Sequence, residues 1–511
     1  MEIVGELEQS LEPEAGASEL ETGGSASGAG GSDPVAEGMG LSRNGSASPG
    51  TGPRPPGSLA EAGLTEELVA GLVLKALNLR GATLGFDLVE LLALPMGILD
   101  EVIAGLQERR YVEVHETRGP RRGEYVFKLT RAGRTAAREE MEACRYVGPA
   151  PVPFAEYVEW VERQSVESVK VSRDDLRRAL ADVVIPEAVL HQIGPAANSG
   201  RSLFLHGGPG DGKTLLAERI AALFGERYYV PFTVLVDGSI MIVYDPVHHG
   251  PGGADGESSK GSHADRPRLA DGDDVGPGEA PPNRMNAGIR DAILRAPTTH
   301  DPRYVEARRP VVMTGGELTL SHLDLQWDPS GRMYQAPPQL KAAGGVLVID
   351  DLGRQRVPVQ ELLNRWVVPL EQGKDYLTPR SGRKIVVPFD CFVIFSTNLE
   401  PRNLTDEAFL RRIRYKVELP GPSRAELERI FRESCEARGV AFEPGAVTYL
   451  YDEIYADGSV TPRRCHPRDV LDHLDDLAHY RGEPLRLSPE LLEQACRSCF
   501  LSAGPDSTME S

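Results

Sequence analysis

The stretch Leu203–Thr214, L-F-L-H-G-G-P-G-D-G-K-T, constrains the fold more tightly than any other part of the chain. Three apolar residues read as a buried strand. A loop follows, in which Gly207 and Gly212 are separated by Gly208, Pro209, Gly210 and Asp211, and then come Lys213 and Thr214. The next residues, L-L-A-E-R-I-A-A-L-F, continue as a helix. A strand, a glycine-rich loop and a helix in this order let backbone N–H groups wrap phosphates. Lys213 is then placed for the β- and γ-phosphates and the Thr214 hydroxyl for Mg2+, while the helix N-terminus adds partial positive charge. The fold class expected is α/β, a parallel sheet flanked by helices.

Four further elements follow in chain order. V-L-V-I-D-D-L, 346–352, is a continuous apolar run, as a central parallel strand buried on both faces should be. It ends in Asp350 and Asp351, at the carboxyl end of a strand where ligands bind in open α/β sheets. C-F-V-I-F-S-T-N, 391–398, is a second such run and ends in Asn398. D-E-A-F-L-R-R-I-R-Y-K-V-E-L, 406–419, reads as a helix ending in Arg411 and Arg412, followed by a strand. C-H-P-R-D-V-L, 465–471, puts Arg468 at a helix start, where a cation opposes the helix dipole unless an anion sits nearby.

These five elements in this order resemble the AAA+ ATPase superfamily over about residues 173–500. The resemblance implies a P-loop NTPase sheet over 173–420 and a C-terminal helical lid over 421–503, with ATP and Mg2+ as ligands. Gly207, Gly208, Pro209, Gly210, Asp211, Gly212, Lys213 and Thr214 match Walker A. Asp350 and Asp351 match Walker B, the first for the metal together with Thr214, the second to polarise water. Asn398 matches sensor 1, Arg412 the arginine finger with Arg411 as its alternate, and Arg468 sensor 2. A finger supplied in trans implies a homo-oligomer, a ring or open spiral, that remodels a partner. The second Walker B acid is more often Glu in this superfamily. D-D-L-G also resembles the Walker B of helicase-loader ATPases, so slow hydrolysis is the expectation.

Residues 215–349 far exceed the roughly dozen residues that a crossover between parallel strands needs. Residues 228–246 read as a hairpin turning at Asp237-Gly238, either a substrate-contacting pore element or an added sheet edge. Residues 250–283 are rich in Gly, Asp, Ser and Pro and read as a disordered insert. Residues 374–390 form a second hairpin pattern with Lys374, Arg380, Arg383 and Lys384 near its turn. It resembles the pre-sensor hairpin of the AAA+ branch that includes MoxR-like proteins.

Before the ATPase region, residues 1–62 carry almost no aromatic side chain and read as a disordered acidic tail. Residues 63–146 read as three helices, two alternating strands around T-R-G-P-R-R-G, and a final helix. This resembles a winged-helix domain, as in a bacterial group of AAA+ proteins. Its third helix exposes Asp100, Glu101, Gln107 and Glu108, which repel phosphates, so a protein partner is favoured over DNA. The basic turn keeps DNA open as the alternative. The Pro-rich residues 147–172 read as a linker and 504–511 as a tail.

Acidic residues outnumber basic ones by 76 to 56, a net charge of −20, which argues against bulk attraction to nucleic acid or anionic membrane. No apolar run reaches about 18 residues, so no membrane insertion is expected. The N-terminus lacks a signal-peptide layout, and six cysteines without regular spacing suit a reducing, cytoplasmic setting. Cys496-x-x-Cys499 with Cys465 and His466 offers conceivable zinc ligands, but its helical pattern reads as ordinary core. Two function classes stand: a partner-remodelling ATPase, and a nucleotide-dependent or DNA-binding switch with slow turnover.

Overall fold

The computed structural model describes residues 52–224, 227–250, 300–404, 407–456, 458 and 460–500. Most of the expected 1–62 tail, the 250–283 insert beyond Gly250, and the 504–511 tail lie outside these residues.

The N-terminal module runs α1 (Glu66–Arg80), β1 (Thr83–Leu84), α2 (Gly85–Leu92), α3 (Met96–Glu108), β2 (Val112–Thr117), β3 (Tyr125–Leu129) and α4 (Arg131–Ala143). Thr65 and Thr130 start α1 and α4 by accepting the N–H groups of Leu68 and Gly133. The i, i+3, i+4, i+7 set of α3, Leu99, Val102, Ile103 and Leu106, is buried. It packs with Leu72 and Phe127 over a three-stranded antiparallel sheet of order β1-β3-β2.

The tail and linker boundaries need correction. Residues 52–62 are part of the packed body: Asp301 N–H donates to Pro53 O at 2.6 Å, and Ala62, in a one-turn helix, is fully buried. The buried Arg303 guanidinium donates to Ala62 O at 2.9 Å and is held by the carboxylate of Asp301. Residues 147–172 are not a tether either. Val152–Pro153 forms edge strand β4, and α5 (Phe154–Arg163) buries Tyr157 and Val161. An apolar pair at i, i+4 needs a surface to cover, and the adjacent sheet supplies one.

That sheet has the order β11-β12-β8-β7-β4, with β7 (Thr233–Val236), β8 (Ser239–Ile242), β11 (Gln326–Asp328) and β12 (Met333–Gln335). β7 and β8 turn at Asp237-Gly238, whose φ values of 50° and 75° are those of a type I′ turn. Val234, Ile240 and Met241 are buried, and β7 and β8 are interior strands of this separate sheet, so 228–246 does not add an edge to the central sheet. β6 (Tyr228–Pro231) pairs separately with β9 (Tyr304–Ala307).

The central sheet is wholly parallel, of order β10-β13-β16-β5-β17. Its strands are β5 (Ser202–Gly207), β10 (Val311–Thr314), β13 (Val346–Ile349), β16 (Phe392–Thr397) and β17 (Tyr415–Leu419). Helices cover both faces, including α6 (Lys213–Ala221) and α7 (Val359–Gln372), with Leu216 on one side and Leu363 and Trp366 on the other. β13 and β16 are buried at every position, as their continuous apolar runs require. The α/β expectation of a parallel sheet flanked by helices is borne out. Between α7 and β16 lies the hairpin β14 (Lys374–Leu377) and β15 (Ile385–Pro388).

The C-terminal helices are α8 (Arg424–Ala437), α9 (Pro444–Tyr449), α10 (His466–Arg481) and α11 (Pro489–Cys499). They enclose their own core of Leu427, Phe431, Leu471, Leu474 and Leu492. Cys435 and Cys496 fill that core as small apolar groups.

Candidate functional site

β5 delivers the glycine-rich loop to the carboxyl edge of the sheet, between β16 and β17. Gly210 and Gly212 have φ of 79° and 86°, which a side chain would strain. Lys213 opens α6 and turns back over the loop. Its Nζ donates to Gly207 O at 3.2 Å, Gly208 O at 2.8 Å and Asn398 Oδ1 at 2.7 Å. Burial pulls the ammonium below its usual pKa, against the raising effect of Asp211, Asp350 and Asp351.

The other strand ends converge on the same point. The Thr214 hydroxyl donates to Asp350 Oδ2 at 2.8 Å. One hydroxyl and one carboxylate oxygen side by side form the hard-oxygen set that Mg2+ takes, along with waters and phosphate. Asn398, just past β16, spans the site: its Nδ2 donates to Asp351 Oδ1 at 2.9 Å while its Oδ1 accepts from Lys213. Lys213, Asn398 and Asp351 thus form one hydrogen-bonded chain.

Asp351 has a left-handed backbone, φ 49°. Asp and Asn tolerate that region better than other side-chain-bearing residues. The turn is fixed by its neighbours. Leu352 N–H donates to Ser396 O at 2.8 Å, the Thr397 hydroxyl donates to Leu352 O at 2.8 Å, and Asp351 N–H donates to Asp350 Oδ1 at 3.0 Å. The short acid at this position suits the backbone it must occupy.

The arginines divide differently from the motif reading. Arg412 is paired with Glu371 at the end of α7, and Arg411, 76% exposed, with Glu407. Arg468 is 65% exposed and its ion pair is to the adjacent Asp469. The arginine that meets the loop is Arg463, whose Nη1 donates to Asp211 Oδ2 at 3.1 Å. Arg464 turns the other way and donates from Nε to Val184 O at 3.0 Å. Sequence reasoning missed both. The signal was P-R-R-C directly before a helix, the same misplaced-cation argument that singled out Arg468.

A cleft of about 490 Å3 lies elsewhere, lined by Arg201, Leu370, Val386, Phe389 and Asp390 among others. Arg201 and Cys391 precede β5 and β16, which puts the cleft at the amino edge of the sheet, opposite the glycine-rich loop.

Residues 423–498 match a family described as a domain of unknown function, DUF8689. No curated protein matches. Among solved structures, NtrX from Brucella abortus is 14% identical, with a TM-score of 0.35 over 66% of this chain and 55% of that one. NtrX in complex with ADP gives 14%, 0.33, 62% and 52%. The RuvB Holliday junction branch migration motor from Thermotoga maritima gives 14%, 0.32, 63% and 73%. The chain spans about half the length of the NtrX structures it matches. What defines the fold is the sheet order and the loop itself: an α/β parallel sheet with a glycine-rich loop at its carboxyl edge.

Proposed function

We propose that the chain is an ATP-binding and ATP-hydrolysing protein of AAA+ type, working as a homo-oligomer that remodels a protein partner. The observation that carries this reading is the convergence of Lys213, Asn398 and Asp351 in one hydrogen-bonded chain beside the Thr214–Asp350 pair. The loop amides and Lys213 bind the phosphates, and Thr214 and Asp350 hold Mg2+, which neutralises phosphate charge when bound. Asp351 accepts a proton from the attacking water, and Asn398 orients that water. Arg412, or Arg411, released from its intrachain acid, reaches the nucleotide of a neighbouring subunit.

Residues 63–146 we read as a winged helix that recruits the partner. Three of the cations in and beside its wing pair internally: Arg122 with Asp100 of α3, Arg118 with Glu116, and Lys128 with Glu113. The third helix carries Asp100, Glu101 and Glu108, which repel phosphates, so a protein partner is favoured over DNA.

The test is phosphate release from ATP by purified chain. Lys213→Ala and Asp351→Asn should abolish it, and mixing Lys213→Ala with Arg412→Ala chains should restore part of it if the finger acts in trans. A wild-type rate equal to that of Lys213→Ala refutes hydrolysis. A nucleotide switch is the second reading, favoured by the way Asn398 already occupies Asp351 Oδ1. It predicts tight ATP binding with turnover unchanged by Asp351→Asn.

A further inference from the structure

We propose that Asp211 and Arg463 form a latch that holds the C-terminal helical domain down on the phosphate loop and so sets the rate of nucleotide release. The consequence rests on the nucleotide reading above; the contact itself does not.

Asp211 sits inside the glycine-rich loop and is 1% exposed. A carboxylate so placed is costly unless a cation answers it. Lys213 is close in sequence, but its Nζ is engaged by Gly207 O, Gly208 O and Asn398. The cation hydrogen-bonded to Asp211 is Arg463, from the far side of the chain. The second oxygen, Asp211 Oδ1, is buried without a hydrogen-bond partner, so the hydrogen bonding of this carboxylate falls on one guanidinium, while Lys213 adds attraction through space.

The loop is shaped for that approach at two more points. A Cβ on Gly208 would stand 1.5 Å from Arg463 Nη1, so the guanidinium would have to move from its present place beside the loop. A Cβ on Gly210 would stand 2.4 Å from Cys465 Sγ, and Gly210 O accepts Cys465 N–H at 3.0 Å. Residues 463–465 therefore lie against the loop at Gly208, Gly210 and Asp211. Arg464, between them, is tied to Val184 O and Pro420 O and braces the same segment from its other side.

The segment runs straight into α10, whose Pro467, Val470 and Leu471 are buried. Lifting the helical domain from the loop must therefore break the Asp211–Arg463 pair, and a nucleotide held between loop and domain leaves only when it lifts. Both residues are positioning residues: they act on nucleotide through the domain they hold.

The experiment uses the full chain with Asp211→Asn, Arg463→Gln, the double variant and Arg463→Lys. Release of a fluorescent ADP is followed by stopped flow, and hydrogen exchange of the nucleotide-free chain reads the Cys465 amide and the loop amides. Each neutralising single variant should speed release at least about tenfold and raise exchange at Cys465. The double variant should be no faster than the faster single, and Arg463→Lys should recover part of the slow release, which packing alone would not do. Exchange across β13 and β16 reports that the fold is kept. Release within about twofold of wild type in both single variants, or additive effects in the double, overturns the latch. So does an Arg463→Gln chain that binds nucleotide weakly beside an Asp211→Asn chain that binds it tightly, because Arg463 then serves the phosphate directly. If wild type binds no fluorescent ADP, the nucleotide reading fails, and unchanged or raised exchange at Cys465 decides the contact by itself.

Discussion

Replacing Asp351 by Glu tests whether the short acid is a defect or a fit. By motif alone, Glu is the common residue and the replacement should speed hydrolysis. The structure predicts the reverse. Asp351 has φ 49°, and a residue without the local hydrogen-bonding habit of Asp or Asn costs about 1 kcal/mol more in that region. The added methylene also extends the side chain by about 1.5 Å, one C–C bond. The Asn398 Nδ2 to Asp351 Oδ1 bond is 2.9 Å, with Asn398 held at its other end by Lys213, so the network cannot absorb that extension in place. A misplacement of ~1 Å at a reacting centre costs on the order of 100-fold in rate. We expect Asp351→Glu to lower turnover by roughly 10- to 100-fold in steady-state phosphate release at saturating ATP. Its melting temperature should fall by about 2–4 °C. Asp351→Asn keeps the left-handed backbone and the acceptor for Asn398, so it should melt near wild type while losing turnover. An Asp351→Glu chain that hydrolyses ATP as fast as wild type, or faster, refutes the argument.

Three further outcomes follow from packing and charge. Burial raises the Asp390 pKa to about 6, so the folded chain holds this proton more tightly than the unfolded chain. Stability from this group is therefore present below pH 4 and is lost as pH rises toward 6. Asp390→Asn, which can still accept from Ser165 and Val166, should stabilise the chain more at pH 8 than at pH 5, by about 1 kcal/mol in denaturant melts. Equal gains at the two pH values would count against it. A Cβ on Gly133 would come within 1.9 Å of Tyr111 O, so Gly133→Ala should destabilise the N-terminal module by about 1–3 kcal/mol or more, read by hydrogen exchange in α4. Asp301→Ala strips the buried Arg303 of its closest carboxylate and should cost about 3–5 kcal/mol by chemical denaturation.

The parts of the fold that were legible in the sequence are those whose signals are local. An apolar run ending in a polar residue names a central strand and its carboxyl end together, which is why β13 and β16 are readable from Asp350 and Asn398, and β5 from the glycine-rich loop that follows it and brings Thr214 to Asp350. The D-G pair at 237–238 names its turn, because both residues must take positive φ. What stayed hidden depends on distant partners. Residues 52–62 look like more of a polar tail until Arg303, 241 positions from Ala62, is seen to fasten them. The Pro-rich 148–153 looks extended, and it is, but as an edge strand on β7 rather than as a free connection.

The arginine beside the glycine-rich loop shows the limit most sharply. Motif spacing selects Arg468 because it stands at the start of a helix, but spacing along one segment says nothing of which side chain faces the loop. Arg463 and Asp211 are 252 positions apart, and their pairing is a property of the closed tertiary structure. Yet half of the pair was visible. An Asp buried in a glycine-rich loop is costly without a hydrogen-bonded cation, and Lys213 of the same loop spends its ammonium on Gly207 O, Gly208 O and Asn398. Asp351 poses the same kind of question and has the same kind of answer. Each is an acid that departs from the common pattern, and in each case a specific contact accounts for it: Arg463 for the first, a left-handed turn tied to Asn398 for the second. Departures from a motif are where tertiary structure has left its mark on the sequence, so the two acids at 211 and 351 are where substitution will discriminate most between this chain's mechanism and a generic one.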